Sequence, residues 1–250
     1  MKKVLKCTTG AVAAALFFAV DLSAQTLPKV SVEVGEVAGP SDLSTTLQVI
    51  ILLTVLALAP SILIMVTSFI RFVVVMSFLR NAMGIHQMPP NQLLVGLSLI
   101  LTFFVMSPVV QKSYSEGIQP YIEEKIEGKE AFEKAVDPFR KFMLAQTREK
   151  DLALFVNIAG LDRPENSDDI PLHVLVPGYV ISELRTAFQI AFVLFVPFLV
   201  IDMVVASVLM SMGMMMLPPI IVSLPFKILL FVLVDGWYLL IKSLVESFRT

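Results

Sequence analysis

Four stretches of this chain are each long and apolar enough to cross a bilayer, and each has a proline inside it. They run from about Leu47 to Ile70, Leu93 to Val110, Ala187 to Leu209 and Ile220 to Ile241. The first continues past Arg71 through Phe72 to Leu79. About 20 apolar residues span the hydrocarbon layer as a helix. Proline frees a backbone carbonyl, which in lipid must find its partner within the protein. Pro60, Pro108, Pro197 and Pro225 therefore predict kinked helices packed on other helices. The pattern predicts an all-α integral membrane protein of helical hairpins, with about four kinked apolar helices. Composition agrees, because only 16% of residues are charged, against about a quarter in soluble domains. A net charge of -2 and no basic stripe imply no nucleic-acid partner.

Residues 1–24 read as a cleavable signal peptide. Lys2, Lys3 and Lys6 precede a short apolar core from Ala11 to Val20, and Leu22-Ser23-Ala24 is an imperfect cleavage site. The alternative is an uncleaved amphipathic anchor. Cys7, the only cysteine, would leave with the signal, so no disulfide is expected. Residues 25–46, with Gly35, Gly39 and Pro40, read as a linker. A first hairpin region (47–110) follows, then a polar helical insertion (111–186), then a second hairpin (187–250). In the insertion, Phe132, Val136, Phe139 and Met143 fall on one helix face, as do Leu152, Phe155 and Ile158. Leu161 to Asp169 reads as a loop. A cleaved signal places the new N-terminus outside. Arg71 and Arg80 then flank an inner loop, and the insertion is expected to be periplasmic.

Catalytic patterns are missing. There is no Walker A sequence, no Gly-x-Ser-x-Gly and no His-Glu-x-x-His. His86 and His173 stand apart from any cysteine or paired carboxylate, and Glu123, Glu124 and Glu127 read as a solvated helix face. No catalytic residue, metal site or cofactor is expected.

Charges in apolar surroundings carry more information. Arg71, Asp202, Lys227 and Asp235 would each cost about 2.5–3.5 kcal/mol at a helix centre in lipid, so they are expected to face protein or water. If the second hairpin folds near Met214 to Pro219, Asp202 and Lys227 reach similar depth and can pair, within a chain or across subunits. Alternatively Asp202 caps a helix break near Pro197, and Glu183 is a rival partner for Lys227. Between the hairpin arms lie Met210, Met212, Met214, Met215 and Met216, ending at Pro218-Pro219. Methionine is unbranched and soft, and often serves as plain packing. Gly213 and the two prolines break regular helix where the methionines cluster. A flexible loop of soft side chains suits a closed constriction, and copies around an axis would plug a pore.

Longer motifs identify a relationship. Glu183-Leu184-Arg185-Thr186-Ala187-Phe188-Gln189, Pro197 to Asp202, Ser211 to Met216, Leu224-Pro225-Phe226-Lys227 and Val234-Asp235-Gly236-Trp237 resemble signatures of the FliP family of type III secretion export-gate proteins. Thr67-Ser68-Phe69, Leu79-Arg80-Asn81 and Pro89-Pro90-Asn91-Gln92 are similar to the same family. The resemblance covers about Leu47 to the C-terminus. Gly178 departs from it, standing where the family has alanine, and Pro218 replaces a residue that is often serine.

The resemblance implies a pentameric ring of this chain, assembled with FliQ and FliR and associated with FlhB and FlhA. It implies passage of unfolded flagellar subunits through an export gate of the basal body in the bacterial inner membrane. The methionine run would be the gasket around the closed channel, and Arg71, Glu183, Asp202, Lys227 and Asp235 would be buried charges for assembly or gating. The expected function is a pore subunit for flagellar protein export, with the injectisome branch as the alternative. A small-solute carrier using Asp202 and Lys227 as a relay is a third reading, but its hallmark repeat symmetry is missing.

Overall fold

A computed structural model describes residues 40–85, 88–161, 169–214 and 216–248, with side chains from Leu47 onward. The signal, Cys7, His86, Met215 and most of the 161–169 loop lie outside the described residues. The chain divides into two units, Met1–Leu52 and Leu53–Thr250. Helix α1 (Pro40–Met65) crosses that division and begins where a linker was expected. Proline suits a first helical position, because that N–H has no partner in the helix anyway. From Leu53 to Met65 none of its side chains is buried. Such a helix, apolar on all faces, has the character of a lipid span.

The first apolar stretch does not continue as one helix. It breaks at Val66–Ser68, and the Tyr179 hydroxyl donates to the Thr67 carbonyl at 2.8 Å. Helix α2 (Phe69–Ala82) then enters the interior. Phe72, Val75, Met76 and Leu79 are at most 2% exposed. Their spacing of three and four residues puts them on one face. In a segment that is nearly all apolar, that face has no contrast against the others, so hydropathy reads a span where packing makes a core helix.

Around α2 pack α3 (Asn91–Ser113), α7 (Leu172–Ser211) and the pair α8 (Pro219–Leu233) and α9 (Gly236–Glu246). The core joins Phe72, Leu79, Leu94, Ala187, Phe198, Phe231 and Leu244. Helix α7 has 40 residues and runs unbroken through position 186, so the third apolar stretch is the second half of a longer rod. Three helices are long and apolar enough to cross a membrane, or four if α8 and α9 form one bent span. The fold is all-helical among the described residues.

Helix interruptions do not fall at the prolines. Pro60, Pro108, Pro177, Pro197 and Pro225 all lie inside helices. The fourth stretch instead breaks at Asp235, where α8 and α9 meet at 64°. Asp235 has φ 52° and ψ 53°, a left-handed conformation that aspartate tolerates better than most residues. A Cβ on the next residue, Gly236, would lie 2.3 Å from the Phe231 ring.

The insertion continues from α3 through a π turn, Tyr114–Ile118, into α4 (Gln119–Ile122). Helices α5 (Gly128–Gln146) and α6 (Glu149–Ile158) follow. The expected faces are shifted. Phe132 and Ile158 are exposed, Met143 of the expected face is buried, and Ala131, Pro138 and Val156 are buried beside it. Small residues on α5 decide this, because they allow close approach. At Gly117 a Cβ would sit 2.6 Å from the Ala135 nitrogen, and Ser113 Oγ donates to the Ala135 carbonyl at 2.7 Å. A second core joins Met143, Val156, Val174, Leu175 and Tyr179, seating the insertion on the first turns of α7.

Two glycines predict opposite outcomes. Gly117→Ala meets backbone and is expected to destabilise by about 1–3 kcal/mol through overpacking. Gly178→Ala would place its Cβ 3.6 Å from Leu152 Cα, an ordinary contact. It is expected to stabilise by about 0.5–1 kcal/mol through helix propensity. Unfolding midpoints of the two variants in detergent should move in opposite directions, and a shared direction refutes this contrast.

Candidate functional site

The polar groups expected in apolar surroundings gather into two networks, one near each end of α2. At its start, Arg71 is 2% exposed and Glu183 of α7 is fully buried. Arg71 Nε donates to Glu183 Oε2 at 2.9 Å, and Nη2 donates to Glu183 Oε1. This is the planar two-point pairing that guanidinium makes with carboxylate. Nη2 also donates to Gln146 Oε1 at 3.0 Å, and Nη1 to the Ser247 carbonyl and hydroxyl at 3.0 and 2.8 Å. All five N–H donors are thus used. The guanidinium carbon stands 3.7 Å from the Phe248 ring centre, which adds a cation–π contact. One side chain thereby joins α2, the end of α5, α7 and the residues after α9.

At the other end of α2, Lys227 is 2% exposed. Its Nζ donates to Asp202 Oδ2 at 2.6 Å and to the Ala82 carbonyl at 3.1 Å. Ala82 is the last residue of α2, so the ammonium sits at the negative end of that helix. Ser223 Oγ donates to Asp202 Oδ1 at 2.6 Å. Asp202 therefore has both oxygens engaged, and its bonds run across the hairpin instead of capping a break at Pro197. Glu183, the rival partner for Lys227, is held by Arg71.

Asp235 departs from the expectation of a buried charge. It is exposed at the bend between α8 and α9, and its side chain makes no capping bond. Its conformation turns the chain, and the bend carries it outward. Among the other acidic candidates, Glu123 is exposed and receives bonds from Lys125 and Gln119, which hold its carboxyl below the usual carboxylate range. His173 is exposed.

The methionine segment caps α7. Gly213 has φ +74°, the Met214 N–H reaches the Leu209 carbonyl at 3.0 Å, and the Gly213 N–H reaches the Met210 carbonyl at 3.1 Å. This is the Schellman closure of a helix C-terminus, which needs a left-handed residue where glycine stands. The turn leads through Met216 and Leu217 to Pro218, and α8 begins at Pro219. Met210, Met212 and Met214 are exposed, and Met216 is 98% exposed. The loop therefore presents thioethers outward and contributes little to the core.

Sequence reading did not foresee Ser223, Gln146, Ser247 and Phe248. Ser223 left a signal, since it precedes Lys227 by one helical turn in an otherwise apolar run. The other three left none, because their partner Arg71 is 75 or more positions away.

Along α7 runs an open apolar groove lined by Phe78, Ile181, Phe188, Phe192, Phe195 and Leu199. A second, between α7 and α8, is lined by Val200, Val204, Val208, Val222 and Phe226. Such continuous apolar surface belongs against lipid or other helices.

Comparison with known proteins assigns this arrangement. The model of the FliP family matches residues 52–244. The flagellar biosynthetic protein FliP of Bacillus subtilis is 57% identical over 209 residues, covering 84% of this chain and 95% of the relative. The protein of the same description from Caulobacter vibrioides is 53% identical over 220 residues, covering 88% and 82%. That of Aquifex aeolicus is 48% identical over 225 residues, covering 89% and 92%. The family match takes in both ionic networks up to Leu244 and the whole methionine turn, so the chain belongs to the FliP family.

Proposed function

We propose that this chain is a pore-forming subunit of the flagellar protein export gate in the bacterial inner membrane. Copies of it form a ring, five by the family resemblance, with FliQ- and FliR-like subunits, and FlhB- and FlhA-like proteins associate with that ring. Unfolded flagellar subunits are the cargo. The observation that carries this reading is the methionine turn. Flexible thioethers point outward at the tip of an apolar hairpin whose arms are tied by Asp202 and Lys227. A ring of such tips closes a channel with side chains that repack around varied chains. The rigid part is α2 with its two networks, and the yielding part is the loop. Flagellar relatives support the flagellar branch over the injectisome branch.

Deleting Met214 to Met216 is expected to leave the assembled gate leaky to small ions. Ion conductance of cells or vesicles holding the full complex reads this directly, and a tight membrane after the deletion removes the seal. Deleting the gene is expected to abolish filaments and motility without changing uptake of small solutes. A motile deletion strain refutes the export reading.

A further inference from the structure

Among the described residues the methionines fall into three groups by exposure, apart from Met83, 6% exposed, and Met88, 67% exposed in the loop before α3. Met76, Met106 and Met143 are at most 2% exposed. Met65 and Met203 are exposed on helices long and apolar enough to cross a membrane. Met210 is exposed in the last turn of α7, and Met212, Met214 and Met216 are exposed on the turn that ends it. The turn keeps them there. Its hydrogen bonds run backbone to backbone and turn the chain away at Gly213, around which a Cβ would meet nothing within 4 Å.

Exposed thioethers are chemically distinct from buried ones. A sulfur lone pair attacks one oxygen of a peroxide and the O–O bond breaks. The departing hydroxide takes the proton and leaves as water. Sulfur is oxidised by two electrons and the peroxide is reduced by two. The product sulfoxide is polar and chiral, and dedicated reductases return it to the thioether. A soft apolar wall becomes one that binds water.

We propose that the methionine turn is a site of reversible sulfoxidation by peroxide-class oxidants, with Met216 the first acceptor, and that its oxidation loosens the closed gate. The second half rests on the seal reading above, while the site of modification does not.

The test uses membrane vesicles holding the full chain in its assembled complex, treated with hydrogen peroxide and mapped by peptide mass spectrometry. Sulfoxide is expected at Met216 and its loop neighbours at doses about tenfold below those that reach Met76, Met106 or Met143. Ion conductance is expected to rise in parallel and to fall again after treatment with methionine sulfoxide reductase. A variant with leucine at positions 210, 212, 214, 215 and 216 keeps apolar bulk and cannot be oxidised there, so its conductance should stay flat under peroxide. Loop methionines that react no faster than the buried ones overturn the site. An equal peroxide leak in the leucine variant, or no leak after full loop oxidation, overturns the effect on the gate. The untreated deletion of Met214 to Met216 separates the two readings. If it leaks while oxidised wild type does not, the seal stands and this proposal falls. If it does not leak, the seal falls and the proposed effect falls with it.

Discussion

Glu183→Gln is expected to destabilise the folded chain by about 3–5 kcal/mol, the cost of leaving a buried charge without its partner. Arg71 keeps its bonds to Gln146 and Ser247 in that variant, but nothing neutralises it at 2% exposure. At this chain length each kcal/mol moves the unfolding midpoint by about 2–4 °C, so a drop of roughly 10 °C is expected in detergent. The double variant Arg71→Met with Glu183→Leu removes both charges and fills the space with apolar groups. It is expected to be more stable than either single variant, because desolvation of the pair offsets most of its attraction. If Glu183→Gln shifts the midpoint by about 2 °C or less, under 1 kcal/mol at this size, the network does not hold the fold. If the double variant is the least stable of the three, the pair contributes more than its partners' desolvation, and the argument fails in the other direction.

Reversing Lys227 or Asp202 alone is expected to abolish export, and reversing both is expected to restore part of it. The ammonium meets Asp202 at 2.6 Å and the last carbonyl of α2 at 3.1 Å. Lys227→Asp therefore sets two carboxylates against each other and places a negative charge at a negative helix end. The double reversal rebuilds the pair but leaves aspartate facing Ala82 and arginine or lysine beside Ser223, so rescue is partial. Because Asp202 is 34% exposed, the stability cost of losing the pair is smaller than for Arg71 and Glu183, about 2–4 kcal/mol. Motility swarm diameter reads export, and detection of the folded chain in membranes separates misfolding from a blocked gate. No rescue in the double variant, with both chains present at normal levels, refutes pairing as the reason both charges are needed.

The two networks differ in how far the sequence foretold them. Asp202 and Lys227 lie on adjoining arms about equally far from the turn, so hairpin geometry brought them together before any coordinates did. Arg71 and Glu183 are 112 positions apart, and Arg71 and Ser247 are 176 apart. No local pattern links residues at that separation. Asp235 lies exposed at a bend that hydropathy, which treats residues 220–241 as one span, does not reveal. The left-handed turn at Asp235 and the close fit of Gly236 on Phe231 divide it instead. Likewise Phe132 has the right periodicity for a core face, yet Ala131 is the buried neighbour and Ala135 is the residue that lets α5 meet Gly117.

Local chemistry alone determined the helical membrane class, the family motifs and the position of the methionine turn. Hydropathy, glycine and proline act within a few residues, and a linear chain displays them directly. Tertiary structure decided which apolar segment becomes core and which stays exposed on the folded chain. Most of α2 is apolar, so packing against α3 and α7 selects the buried face. It also decided which charges meet, because a buried ion pair depends on distance in space and on the exclusion of water around it.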